Sequence, residues 1–195
     1  MIVNLPVPSG KGDVSLEEAI SERRSIRKYS DKKLAEHNIG QILWAAQGVT
    51  KVVGRYGLRA SPSAGATYPL EIYLLTDEKV SRYLPEGHRL EHVMLKDQRG
   101  EIAAACYGQG FIEFAPAVIV IVADYSRTTD RYGERGKRYV LQETGHVAQN
   151  IHLQARALGM GSVPIGAFDD DVIKKILLLP QKQEPLYVVP IGYPE

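Results

Sequence analysis

The chain has 195 residues, a length that fits one domain with a sizeable core of its own. It is 44% hydrophobic and 24% charged, a composition typical of a folded protein rather than a disordered one. The formal net charge of +1 gives no field that would favour nucleic acid or a membrane surface as a partner. The single cysteine excludes an internal disulfide, and the spacing of the cysteine and the five histidines predicts no metal site.

The first residues lack the apolar core of a signal peptide, and no apolar run reaches the roughly 20 residues that a membrane helix needs. We therefore expect a cytoplasmic protein. Residues 1–14 are predicted to form an extended N-terminal arm, because four prolines and glycines interrupt regular structure there.

The first half of the chain predicts two helices and one strand. Ser15 and Glu18 form a capping-box pattern at the start of a helix that runs to about Arg23. A second helix is predicted over residues 34–47 from its apolar spacing. Residues 49–69 are rich in Gly, Ser and Pro and predict a long loop, which leads into a strand at residues 70–76.

The second half predicts a short helix near residues 98–107 and a strand at residues 115–123 that is covered on both faces. The helix predicted over residues 139–158 has two apolar faces, so it is buried within the chain or in a dimer. Asp169 caps a short helix, and "LYVVPIG" forms a last strand. Together these elements predict one α+β domain over residues 1–195, with helices around a small, mostly antiparallel sheet.

The segment "ERRSIRKYS" is the first candidate for chemistry. Arg23, Arg24 and Arg27 lie within five residues of one another around Ser25. Guanidinium groups bind two phosphate oxygens at once, so this segment could hold a phosphate. A solvated basic turn explains the charges as well, and spacing alone favours that simpler interpretation.

Two small-residue segments are further candidates. The side chains of Pro62, Ser63 and Ala64 would let a planar ring lie against the backbone, although a plain turn explains them equally well. Pro164, Gly166 and Ala167 precede a helix and would expose main-chain N–H groups to a developing negative charge, or form an ordinary loop. The segment "RYGERGKRY" suits a lid, a dimer contact or a solvated loop. The chain has no G-x-G-x-x-G behind a strand, no P-loop and no nucleophile elbow, so it predicts no Rossmann site.

Four segments occur in a recognisable order: "RRSIRKY", "PSAGATYPLEIYL", "YGERGKRYVLQETGHVAQNIHLQA" and "LGMGSVPIGAFDD". This order resembles the nitroreductase family of flavoproteins over Leu16 to about Tyr193. The second and third segments are most similar to the SagB-type dehydrogenases, a branch that oxidises azoline rings in peptides.

The resemblance implies a nitroreductase-like α+β fold and an obligate homodimer with one FMN in each of two interfacial sites. It also implies ping-pong chemistry, in which NADH or NADPH reduces the flavin and a small-molecule acceptor, such as a nitro compound or quinone, then takes the electrons. The nicotinamide would dock on the flavin, which agrees with the missing Rossmann motif. Hydride transfer to flavin needs no acid–base residue, so none is assigned as catalytic.

The family motifs place the cofactor-binding residues in three groups. The first would hold the phosphate and ribityl chain: Arg23, Arg24, Ser25 and Arg27. The second would reach the flavin from the partner subunit: Pro62, Ser63 and Ala64. The third would lie beside the isoalloxazine, with a main-chain N–H facing N5: Pro164, Ile165, Gly166 and Ala167. Tyr68 or Gln149 could line the pocket.

The chain departs from the family pattern at two points. Gly166 stands where many members have Glu, which changes access and charge near the ring. The C-terminus lacks the basic residues that often grip the phosphate, and Arg135 or Arg138 could replace them. Two alternatives stay open from the sequence: a SagB-type dehydrogenase acting on an azoline or other small ring, and a non-enzymatic flavin-binding protein.

Overall fold

The computed structural model describes residues 1–54 and 56–195 and, at Tyr56, the backbone alone. The helices are α1 (Leu16–Glu22), α2 (Glu36–Gln47), α3 (Arg99–Ala105), α4 (Phe111–Phe114), α5 (Ser126–Tyr132), α6 (Arg135–Ala157) and α7 (Asp170–Ile176). The strands are β1 (Ile2–Asn4), β2 (Val49–Val53), β3 (Tyr56–Arg59), β4 (Leu70–Leu75), β5 (Val80–Leu84), β6 (Arg89–Met94), β7 (Ala117–Asp124), β8 (Gly161–Ser162) and β9 (Gln183–Gly192).

Seven of the strands form an antiparallel sheet in the order β1-β6-β5-β4-β7-β9-β8. Strand β7 lies between β4 and β9, and all eight of its residues are buried. Its side chains alternate between two cores: Ile119 and Ile121 pack into one, while Val118 and Val120 pack into the other. The prediction of a strand covered on both faces is therefore confirmed.

Helix α6 has 23 residues and packs against α1, α2 and α5. Val140, Val147 and Ile151 are fully buried on its first apolar stripe, as predicted. The second predicted face is only partly covered, because Ala148 is buried while Leu141 is 55% exposed. None of the helices in the described residues is long and apolar enough to cross a membrane.

Several elements were not expected from the sequence. Strands β2 and β3 form a hairpin of their own within the predicted loop, of which Arg55 lies outside the described residues. Strands β5 and β6 form a second hairpin with Gly87 at a positive φ of 84° in its turn, and β1 of the predicted arm pairs with β6. Helix α5 forms in a polar segment because α6 covers one of its sides. The α+β prediction is confirmed, but the sheet is larger than expected.

Candidate functional site

The segment after α1 runs along the edge of the sheet. Ser25 forms a parallel bridge with Ser162 of β8, and the Ile26 N–H donates to the Ser162 carbonyl at 3.1 Å. The contact is close: a Cβ on Gly161 would lie 2.4 Å from the Ile26 Cγ1 atom. A glycine at this position thus lets the arginine segment lie against the strand that leads into the loop of residues 163–167.

Arg23 is held by a buried histidine of α6. The Arg23 guanidinium lies 3.2 Å from His152 Nε2, and His152 Nδ1 lies 2.7 Å from Ser162 Oγ. Because arginine can only donate, Nε2 must accept and the ring proton must sit on Nδ1, which then donates to Ser162. Burial, with help from the Arg23 charge, lowers the pKa of His152 to about 4. The imidazole ring is therefore neutral near pH 7, and its hydrogen bond holds one side of the Arg23 guanidinium in place.

The other basic residues of the segment are placed differently. Arg24 turns back and donates to the carbonyls of Ser21 and Arg23. Arg23 and Arg24 line a cavity of about 180 Å³, which Arg156 also lines. Arg27 is exposed and lines a separate surface cavity beside Phe111 and Phe114. The structure thus brings Arg23 and Arg24 together but does not bring Arg27 into the same cavity.

The loop before α7 offers two main-chain donors. Ile165 exchanges both of its backbone hydrogen bonds with Val188 of β9, so its N–H is already used. Gly166 and Ala167 are exposed, and within the described residues no acceptor is found for their N–H groups. Pro164 is half-buried and carries no N–H. Asp169 then caps α7, as predicted, by accepting from the Val172 N–H at 3.0 Å.

The "PSAGA" segment forms a single turn of 3₁₀ helix at residues 64–66, and Pro62 at its start is exposed. Its backbone is left-handed at Gly65 (φ 60°) and Ala66 (φ 53°), and so is that of Tyr68 (φ 46°), two residues further on. Such conformations persist only where neighbours fix them, and here Ser63 Oγ accepts from the Tyr68 N–H at 2.9 Å. Arg131 of α5 donates to the Gly65 carbonyl at 3.1 Å. These two hydrogen bonds therefore fix the conformation of the turn.

Beneath this turn lies a buried carboxyl group that the sequence analysis did not single out. Glu143 of α6 is 3% exposed, and Gln47 donates to its Oε1 atom at 3.4 Å. Burial raises the pKa of Glu143 to about 7, although the neighbouring polar groups of Ser63 and Gln47 and the charge of Arg59 oppose the shift. In the sequence, Glu143 and His152 are polar residues within an otherwise apolar stripe of the helix. This pattern was the signal from which both buried groups could have been predicted.

The two halves of the candidate site lie on opposite sides of α6. Glu143 and His152 are nine positions apart, which is two and a half helical turns and about 13 Å along the axis. Ser63 therefore contacts one side of the helix while Arg23 contacts the other. One chain does not bring the "PSAGA" turn to the arginine segment. The remaining sequence candidates lie at the surface: Arg135, Arg138 and Gln149 are exposed, and Tyr68 is half-buried.

Comparison with known proteins agrees with this architecture. The profile described as "Nitroreductase family" matches residues 20–193. A protein of Methanocaldococcus jannaschii described as a nitroreductase is 44% identical over 186 residues, covering 92% of this chain and 91% of the relative. An FMN reductase [NAD(P)H] of Bacillus subtilis is 25% identical over 193 residues, covering 91% of this chain and 65% of the relative.

Two solved structures are also similar. The crystal structure of a protein from Ralstonia eutropha JMP134 described as a nitroreductase has a TM-score of 0.89 and 26% identity, covering 100% of this chain and 90% of the other. A chain of the Escherichia coli microcin synthetase McbBCD complex has a TM-score of 0.79 and 25% identity, covering 99% and 77%.

The fold and the site thus define an α+β oxidoreductase with a large antiparallel sheet flanked by helices. The chain belongs to the nitroreductase family.

Proposed function

We propose that the protein is an FMN-dependent oxidoreductase that moves a hydride from NADH or NADPH to a small-molecule acceptor, such as a nitro compound or quinone, in ping-pong fashion. The observation that carries the proposal is the edge of the sheet at β8. There the Ser25–Ser162 bridge places two arginines and two exposed main-chain N–H groups on neighbouring segments. The name of the Bacillus subtilis relative supports FMN and NAD(P)H as the ligands.

The residues present fit the chemistry of FMN. Its phosphate is an anion that guanidinium and hydroxyl groups bind well, and we assign this role to Arg23, Arg24 and Ser25. Arg27, which the sequence predicted to share it, lines a separate cavity and is left out of the assignment. The ring would lie beside the segment formed by Pro164, Ile165, Gly166 and Ala167. Since the Ile165 N–H is used by Val188, the donor to the ring is the N–H of Gly166 or Ala167. FMN, when bound, supplies the hydride chemistry, and the protein orients it.

The proposal requires a homodimer. The turn that contains Pro62, Ser63 and Ala64 lies across α6 from the arginine segment, so a second copy would bring this turn to the flavin. Leu141 of α6 is exposed in the single chain and would be covered by such an assembly. The cytoplasmic location and the single domain over residues 1–195 remain predictions.

A SagB-type dehydrogenase is the second candidate. The similarity to a chain of the microcin synthetase complex favours it. Gly166, which stands where many members of the family have Glu, is exposed, and a Cβ at this position would lie 3.5 Å from the Tyr187 ring. This chemistry would use the same cofactor to take a hydride from a ring substrate in place of NADH or NADPH, and a separate electron acceptor would then reoxidise the flavin.

The test compares Arg23→Ala with Lys51→Ala, which removes an exposed charge from β2, a different element from the arginine segment. FMN binding is measured by quenching of flavin fluorescence. We expect Arg23→Ala to weaken binding by roughly ten- to a hundredfold, because a charge-assisted hydrogen bond is lost. Lys51→Ala should bind FMN as the wild type does. Full flavin occupancy of dilute Arg23→Ala would reject the assignment of Arg23.

Anaerobic addition of NADH or NADPH then separates the activities. Bleaching of the yellow protein by either nucleotide supports the reductase. Yellow protein that neither nucleotide bleaches, but that oxidises a peptide azoline, supports the second candidate. A colourless protein that ignores added FMN would refute both.

A further inference from the structure

The cavity at the C-terminal ends of α1 and α6 contains an arginine to which the proposed function gives no role. Arg156, in the last turn of α6, lines this cavity of about 180 Å³ together with Arg23 and Arg24. Arg135 and Arg138, which the sequence analysis considered for the phosphate, do not line it. The structure therefore brings a third guanidinium group to the arginine segment from a distant part of the chain.

Two successive turns of α6 hold the end of α1 at adjacent residues. His152 accepts from the Arg23 guanidinium at 3.2 Å, and Arg156 pairs with the carboxylate of Glu22. Since residues four positions apart lie on the same face of a helix, His152 and Arg156 both face this cavity, which both of them line. The guanidinium groups of Arg23 and Arg156 thus approach one space from two segments.

The charged groups of the cavity suit a phosphate. Arg23, Arg24 and Arg156 are cations, and Glu22 is the one carboxylate among the described residues that line it. His152 adds no charge, because its Nε2 atom accepts from Arg23. A phosphate monoester carries about −1.5 to −2 charges at pH 7, which would balance the excess of positive charge. The cavity is smaller than the roughly 300–1,000 Å³ of sites that enclose a whole ligand, so it suits the phosphate and not the ring.

The three guanidinium groups keep donors for a ligand. Arg23 uses its Nη1 atom for His152, and Arg24 uses its own Nη1 atom for two main-chain carbonyls. Within the part of the chain that the structure describes, no partner is found for the Nη2 atoms of Arg23 and Arg24. Arg156 is 32% exposed and contacts Glu22 through Nη2, which leaves the rest of its fork for an anion.

We propose that Arg156 is a phosphate-binding residue that completes the FMN phosphate subsite with Arg23 and Arg24, and that Glu22 orients it. The inference rests on the proposed function, because it takes FMN as the ligand of the site. Arg156 then discriminates FMN from riboflavin, which has the same ring and ribityl chain but no phosphate. A cation at this position also stabilises the C-terminal end of α6, so the experiment has to separate a ligand contact from a structural one.

The test measures the dissociation constants of FMN and riboflavin by quenching of flavin fluorescence and takes their ratio for each variant. A variant that only weakens the fold changes both constants, whereas a lost phosphate contact changes the constant for FMN alone. We expect Arg156→Gln to lower the preference for FMN by roughly fivefold to thirtyfold, because a charge-assisted hydrogen bond to a partly exposed group is lost. Arg156→Lys keeps the charge without the planar fork, so its preference should lie between those of Arg156→Gln and the wild type.

The matched control is Lys96→Gln, which also removes a cation paired with a carboxylate. Lys96 contacts Glu101 at 2.9 Å and does not line the cavity. The net charge of the protein changes by the same amount in both variants, so Lys96→Gln should keep the wild-type ratio. An equal loss in Lys96→Gln would show an effect of net charge and would refute the role of Arg156.

The outcomes separate the two proposals. Failure of the wild type to bind either FMN or riboflavin would refute the flavin function itself. A wild-type ratio in Arg156→Gln, beside a lowered ratio in Arg23→Ala, would refute the role of Arg156 and leave the proposed function standing.

Discussion

Two buried titratable groups on α6 should change the stability of the fold in opposite directions with pH. The folded state raises the pKa of Glu143, so its stabilising contribution is complete at acid pH and is lost as the pH rises through about 7. The folded state lowers the pKa of His152, so its contribution is complete above its ordinary value of 6.5 and is lost as the pH falls through about 4.

The structure gives similar magnitudes for the two effects. The pKa of Glu143 moves from 4.5 to about 7 and that of His152 from 6.5 to about 4. At 1.36 kcal/mol per unit, each shift is worth about 3 kcal/mol in the free energy of unfolding. Both side chains are almost fully buried, at 3% and 5% exposure, so little solvent screening reduces these values.

We expect the two effects nearly to cancel in the wild type between about pH 4.5 and 7, and the variants to separate them. Glu143→Gln should lose about 2 to 3 kcal/mol of unfolding free energy, relative to the wild type, as the pH falls across this range. His152→Gln should gain a similar amount over the same range. The double variant should return to the wild-type slope.

The assay is urea denaturation at a series of pH values, followed by far-ultraviolet circular dichroism of the flavin-free protein. The comparison between variants removes the contributions of other groups, such as Asp97 and Asp124, whose lowered carboxyl pKa values act mainly at more acid pH. Single variants that both keep the wild-type pH slope would show that neither group is buried as described.

Two further changes test the packing that supports the site. Gly161→Ala should destabilise the protein by about 1 to 3 kcal/mol, because its Cβ would lie 2.4 Å from Ile26. Gly166→Ala, which meets only ordinary contacts, should melt at the wild-type temperature, and equal melting of the two variants would contradict the close packing at β8. Ile121→Ala should cost about 2 to 5 kcal/mol in chemical denaturation, since the side chain is fully buried in the central strand, and a cost near zero would refute that burial.

Local signals in the sequence predicted several elements well. Ser15 begins α1 by accepting from the Glu18 N–H at 3.1 Å, and Asp169 begins α7 in the same manner. Strand β7 was predicted from an unbroken β-branched run, which only a two-sided core accommodates. The hairpin of β5 and β6 was missed because its strands are short and carry charged residues at half-exposed positions, so they show no clear period of two.

Sequence by itself determined the residue types from which a site can be built: clustered guanidinium groups, small residues before a strand, and main-chain donors before a capped helix. It determined the family as well, because these segments keep a fixed order along the chain. Only the tertiary structure decided which residues meet. Ser162 meets Ser25, His152 holds Arg23, and Glu143 lies beneath Ser63, all through contacts between segments far apart in sequence. The charge of a side chain depends on its burial and on its hydrogen bonds, which are made by residues distant in sequence. The local sequence therefore does not reveal that charge.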